Sequence, residues 1–133
     1  MNRHYGEVAQ RAGHRCEYCR APEVIFNLPF EVEHIIPVSD DGLDDEFNLA
    51  LACRSCNVFK SNQQFGTDEG TGKLERLFHP RRDRWDAHFR VDPTDGTILG
   101  LTPIGRVTIA CLRMNRDTQR EARRGWMALK LYP

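Results

Sequence analysis

The sequence predicts an α+β fold class organised around a strand, loop, strand, helix unit, and three observations carry that prediction. Phe-Glu-Val-Glu-His-Ile over residues 30–35 alternates with the period of two expected of a half-buried strand. Phe47 to Cys53 is a second short apolar run, and Arg54 to Gln63 reads as a helix with Cys56, Asn57 and Lys60 on neighbouring faces. Two pairs, Cys16-x-x-Cys19 and Cys53-x-x-Cys56, bracket the first two segments, so one ion gripping both pairs staples the unit together.

The remaining elements follow in order. Residues 2–12 suit a short helix with Tyr5, Val8, Ala9 and Ala12 as its apolar stripe, and Gly13 is placed to end it. Tyr18, inside the first cysteine turn, reads as a packing residue. Val24 to Phe30 is apolar but broken by Asn27 and Pro29, so it is irregular or an edge strand. In the strand that follows, Phe30, Val32 and His34 share one side, and Pro37 stops it. The loop after Pro37 holds Gly42 and five carboxylates. Gly66 to Gly72 reads as a flexible loop, because it lacks the spacing and the Lys-Ser/Thr of a phosphate cradle. Phe89 to Val91 and Thr97 to Leu99 flank an Asp-Gly turn, a hairpin pattern. Thr102 and Pro103 open a helix as cap and first residue, with Ile104, Val107, Ile109 and Leu112 on its buried side. A last helix from about Asp117 to Leu129 turns Arg120, Arg123, Arg124 and Lys130 outward and Trp126, Met127 and Leu129 inward.

At 133 residues, with 40% hydrophobic and 29% charged residues, the chain suits one globular domain. No apolar run reaches membrane-spanning length, and Met-Asn-Arg-His-Tyr-Gly lacks the apolar core of a signal peptide. A cytoplasmic location is therefore expected, with no membrane partner. Net charge is zero, but residues 1–80 carry 8 Lys/Arg against 13 Asp/Glu and residues 81–133 carry 11 against 6. The acidic part can serve a cation and the Arg-rich part can face a polyanion, although both are equally compatible with solvated surfaces. Arg81, Arg82 and Arg84 are the candidates for phosphate contacts.

Five cysteines without a signal peptide argue against a secreted disulfide scaffold. The two pairs suit a structural zinc ion in a reducing compartment, and Cys111, in an apolar run, reads as a small buried hydrophobe. Between the pairs, and in Asn57 directly after the second, lie residue types suited to phosphodiester cleavage. That reaction needs a base for water, a counter-charge for the phosphorane and help for the leaving oxyanion. A neutral imidazole, His34, suits the first task. A hard divalent cation, Mg2+ or Mn2+, wants oxygen ligands, and Glu33 and the side-chain oxygen of Asn57 supply them. Since adjacent strand residues face opposite ways, the strand must end or bulge for Glu33 and His34 to work together. His79 and His88 flank Trp85 and can reach the cleft or serve structure.

Cys16-x-x-Cys19, Val32-Glu-His-Ile-Ile-Pro37, Asn48-Leu49 and Cys53-x-x-Cys56-Asn57-x-x-Lys60 together resemble the HNH endonuclease family, in its variant with Asn at the third signature position. The resemblance covers residues 12–62. It implies a ββα-metal core stapled by a four-cysteine zinc site, to which the C-terminal β-hairpin and helices read above are added. It further implies one nuclease domain over residues 1–133, with 12–62 as the catalytic core and the Arg-rich 63–133 as an extension packed on it. His34 would activate water, Asn48 would brace the loop between the strands, and Glu33 and Asn57 would hold the catalytic cation. Lys60 would lie near substrate phosphate, and the substrate would be DNA. Family members often carry a basic residue and paired glycines after the proline, so Asp40, Asp41 and Asp44 are expected to weaken affinity for a polyanion. The alternative is a non-catalytic zinc module that binds nucleic acid or a protein through its Arg-rich tail. The sequence identifies no protein partner.

Overall fold

A computed structural model describes residues 1–133, which form five α-helices and three separate two-stranded antiparallel sheets. Helix α1 spans Tyr5–Arg11. Val8 and Ala9 of its apolar stripe are buried, with Tyr5 and Ala12 packed on the same core. Gly13 ends the helix at φ +64°, a conformation glycine enters without a Cβ clash. Residues Glu23–Ile25 then form a single 3-10 turn and leave Val24 and Leu28 exposed, so the broken apolar stretch is irregular.

Strand β1, Glu31–His34, pairs with β2, Leu49–Ala52, placing Glu33 opposite Ala50 and His34 opposite Leu49. Helix α2, Arg54–Lys60, follows after one residue, and Cys53 caps it by accepting from Cys56 N at 3.4 Å. The pairing contains no bulge. Strand β1 simply ends at His34, which resolves the problem of two adjacent residues serving one site. Its inward face also differs from expectation, since Glu33 is buried and Val32 only half-buried. The layer beneath β1 is polar at this point, made by the Tyr18 hydroxyl and the Lys60 ammonium group.

The expected flexible loop at 66–72 is instead the turn of a hairpin between β3, Phe65–Thr67, and β4, Leu74–Arg76. Local backbone bonds close it, Asp68 N to Lys73 O and Gly72 N to Asp68 O at 2.8 and 2.7 Å, and a partner distant in sequence braces it: buried Asp68 receives two 2.9 Å hydrogen bonds from Arg106. After α3, Trp85–His88, strands β5, Phe89–Val91, and β6, Ile98–Gly100, form the hairpin, with Gly96 at φ +74° in its turn. Helix α4, Pro103–Leu112, begins with Thr102 Oγ1 accepting from Gly105 N at 3.0 Å, the cap that the Thr-Pro pair predicts. Val107 and Leu112 are buried, whereas Ile104 and Ile109 lie at the core margin.

Helix α5, Asp117–Ala128, departs from its expected polarity. Arg123 is 2% exposed and Leu129 is 67% exposed. The Arg123 guanidinium donates to Gly96 O, Met114 O and Asn115 Oδ1 at 2.5, 2.7 and 2.9 Å, tying the hairpin turn to the end of α4. A buried cation is tolerated because its donors find acceptors there. Cys111 is half-buried rather than enclosed, and burial raises its thiol pKa.

One hydrophobic core runs from Val8 to Met114, so the segments before and after residue 63 share it. Two hydrogen bonds fasten the later segment to the first cysteine turn: Trp85 Nε1 to Tyr18 O and Tyr132 Oη to Cys19 O, at 2.8 and 2.7 Å. The Arg20 guanidinium lies 4.1 Å over the Trp85 ring at the same place.

Candidate active site

The four cysteine sulfurs of the two pairs lie within 4.8 Å of one another, all buried and none in a disulfide. Zinc–sulfur bonds of about 2.3 Å in a tetrahedron separate the sulfurs by about 3.8 Å. Cys19 Sγ and Cys53 Sγ are 3.7 Å apart. Backbone amides of Cys19 and Cys56 point at Cys16 Sγ and Cys53 Sγ at 3.5 and 3.4 Å, which stabilises negative charge on sulfur. Donor type, spacing and closure thus fit a structural zinc ion. The staple joins the turn before β1 to the turn before α2, fixing the two elements that carry the polar residues.

Glu33, His34 and Asn57 line one shallow groove of about 370 Å³ with Pro37, Ser39 and Ser61. Glu33 sits at its base, 6% exposed. Its carboxylate accepts from Tyr18 Oη and, at 3.0 Å, from Lys60 Nζ. Burial raises the Glu33 pKa, opposed by the Lys60 charge and by both hydrogen bonds. The same burial, reinforced by Glu33, pushes the Tyr18 hydroxyl well above its ordinary value, so it serves as a fixed donor.

Lys60 occupies a different place from the phosphate-facing one expected. It is 1% exposed, and its ammonium donates to Glu33 Oε2, Ile35 O and His34 O at 3.0, 3.0 and 3.4 Å. Three donors with three interior acceptors leave none for a phosphate. Lys60 therefore holds the end of β1 onto α2.

Asn57 donates through Nδ2 to Glu31, whose other carboxylate oxygen accepts from Arg54 at 2.7 Å. That leaves Asn57 Oδ1 without an intramolecular donor in contact. Glu31, two residues before Glu33, was detectable from strand period alone, since alternate residues share a face. Asn48 lies outside the groove, at the foot of the loop between the strands. Its side chain accepts from Ile36 N at 2.9 Å and donates to Ile36 O and Leu43 O at 3.0 and 2.8 Å.

His34 Nε2 is 3.0 Å from Asp44 Oδ1. The hydrogen bond from His34 holds the Asp44 carboxyl below the usual range, with Arg3 and His4 contributing. Asp44 lies ten positions beyond His34, across the loop that follows β1, so no sequence period signals the contact.

The arginine candidates divide. Arg81 is paired with half-buried Glu17, whose Oε2 also accepts Leu51 N at 2.9 Å, so Arg81 is committed to a partner within the fold rather than to solvent. Arg82 and Arg84 are exposed. Arg82 borders a second cavity of about 350 Å³ with Ile36, Gln63, Gln64 and His79, and Arg84 lines neither this cavity nor the groove. His79 borders that cavity rather than the groove, and burial followed by the Arg82 charge lowers its ring pKa. His88 Nδ1 instead contacts Thr102 Oγ1 at 2.7 Å. No helix is long and apolar enough to cross a membrane.

Residues 16–63 match the family model described as HNH endonuclease. No curated protein and no solved structure matches the chain.

Proposed function

We propose, from the match of residues 16–63 to the HNH endonuclease family model, that the chain is a metal-dependent endonuclease hydrolysing DNA phosphodiester bonds. The observation that carries this reading is the common groove of Glu33, His34 and Asn57 at the junction of β1 and α2. The β1, β2 and α2 unit serves as the ββα-metal core, and the zinc-bound cysteines 16, 19, 53 and 56 keep it rigid.

His34 is the general base: its imidazole takes a proton from water at the groove wall. Glu33 and Asn57 are the oxygen donors for a Mg2+ or Mn2+ ion. Each Glu33 oxygen accepts one hydrogen bond and keeps further acceptor capacity, and Asn57 Oδ1 is free because Nδ2 is the atom bonded to Glu31. Two such oxygens suit a hard cation that keeps several waters. When bound, this cation supplies positive charge to the phosphate and the leaving oxygen. Asn48 keeps the loop beside His34 in register. Lys60 acts from within, holding Glu33 charged and the β1 end in place, and exposed Arg82 and Arg84 are left as candidates for phosphate contacts on the flank.

Purified zinc-loaded protein is expected to nick or linearise plasmid DNA with Mg2+ or Mn2+. His34→Ala is expected to lose cutting while melting at the wild-type temperature. Equal cutting by both proteins removes His34 as base. DNA binding without cleavage in any metal, unchanged by Glu33→Ala and Asn57→Ala, identifies the non-catalytic zinc module instead.

A further inference from the structure

We propose that Asp44 is a positioning residue that holds the His34 ring by its Nε2–H, leaving Nδ1 as the proton-accepting atom. The proposal rests on the reading of His34 as base. A carboxylate only accepts hydrogen bonds, so at 3.0 Å from Asp44 Oδ1 the His34 Nε2 must carry the hydrogen. A neutral imidazole then has its lone pair on Nδ1, and His34 lines the groove.

The loop is constructed to hold this contact. Gly42 crosses the backbone of Ile36 so closely that a Cβ would stand 1.8 Å from Ile36 O. Gly42 N donates to Pro37 O at 2.9 Å, which folds the loop back over the residues that follow His34. Asn48 Nδ2 grips Leu43 O at 2.8 Å, immediately before Asp44. On the other side, Asp44 Oδ2 accepts from Arg3 Nη2 at 3.1 Å, with His4 Nε2 at 3.5 Å. The carboxylate is thus held from behind by the N-terminal segment, with one oxygen directed at His34, while Asn48 holds the loop backbone at the preceding residue, Leu43. Asn48 acts on the base through Asp44. An acidic residue expected only to repel a polyanion has a specific partner.

Charge repulsion and ring positioning predict opposite outcomes for Asp44→Ala. If Asp44 merely repels DNA, its removal tightens binding and raises the cleavage rate. If it positions His34, kcat falls roughly ten- to hundredfold, as for a misplaced reacting group, with KM unchanged or lower. Asp41→Asn, which removes the same charge from an exposed left-handed position in the same loop, keeps kcat at the wild-type value.

A second readout is independent of activity. In the zinc-loaded full chain with 15N-labelled histidine, the His34 Nε2–H is expected to give a resolved, slowly exchanging NMR resonance that Asp44→Ala abolishes. A kcat equal to or above wild type in Asp44→Ala, or an Nε2–H resonance that survives it, overturns the proposal. A wild type that cuts no DNA overturns the reading of the site, and the resonance then decides the Asp44–His34 pairing by itself.

Discussion

Lys60→Met tests whether the end of β1 is held by a buried ion pair. Methionine keeps the length of the side chain but removes the charge facing Glu33, whose carboxylate is then left with only the Tyr18 hydroxyl. An uncompensated buried carboxylate escapes by taking a proton. In the unfolded chain the same group ionises near its ordinary value of about 4.3, so at pH 7 the folded variant carries a protonation cost of about 3.7 kcal/mol. That figure agrees with the roughly 3–5 kcal/mol for removing one member of a buried pair. For a chain of this size, at about 4 °C per kcal/mol, the melting temperature is expected to fall by roughly 15 °C. The sign of the pH dependence is also set. The folded variant holds a proton at Glu33 that the unfolded chain releases above about pH 4.3, so the deficit relative to wild type shrinks by about 1.4 kcal/mol for each unit of acidification from pH 7. Thermal unfolding of the zinc-loaded proteins at pH 7 and pH 5.5, followed by circular dichroism, measures both effects. A variant melting within a few degrees of wild type at pH 7, or a deficit that is flat with pH, refutes the buried pairing.

Other outcomes follow from the same packing. Chelating zinc, or replacing Cys56 by Ser, is expected to unfold the region around β1, β2 and α2, since the thiolate staple supplies folding free energy to a small core; an unchanged circular dichroism melt after complete metal removal contradicts this. Arg123→Met leaves Gly96 O and Met114 O without their donors and is expected to lose about 2–4 kcal/mol in urea unfolding, whereas Arg124→Met, on the exposed face, stays within about 0.5 kcal/mol. Thr102→Ala removes the α4 cap and is expected to cost about 1 kcal/mol in the same assay, with Thr102→Ser restoring most of it.

Local chemistry determined much of this protein in advance. The strand at 30–35, though not which of its faces turns inward, the Asp-Gly hairpin, the Thr-Pro helix start and the two cysteine turns depend on neighbours within a few residues, so their signals lie in the sequence itself. The direction of individual charged side chains does not work that way. Lys60 and Arg123 read as surface cations, yet both are buried, because acceptors from β1 and from the hairpin turn meet them there. The 65–76 hairpin is not legible in the sequence for a related reason: its glycines suppress the strand signal, and the partner that braces its turn, Arg106, lies far along the chain. Glu33, Glu31 and Asp44 are all acidic residues near the same histidine. Only the tertiary structure assigns one to Lys60, one to Asn57 and one to His34, since a charge takes its role from the partners that desolvate and bond it.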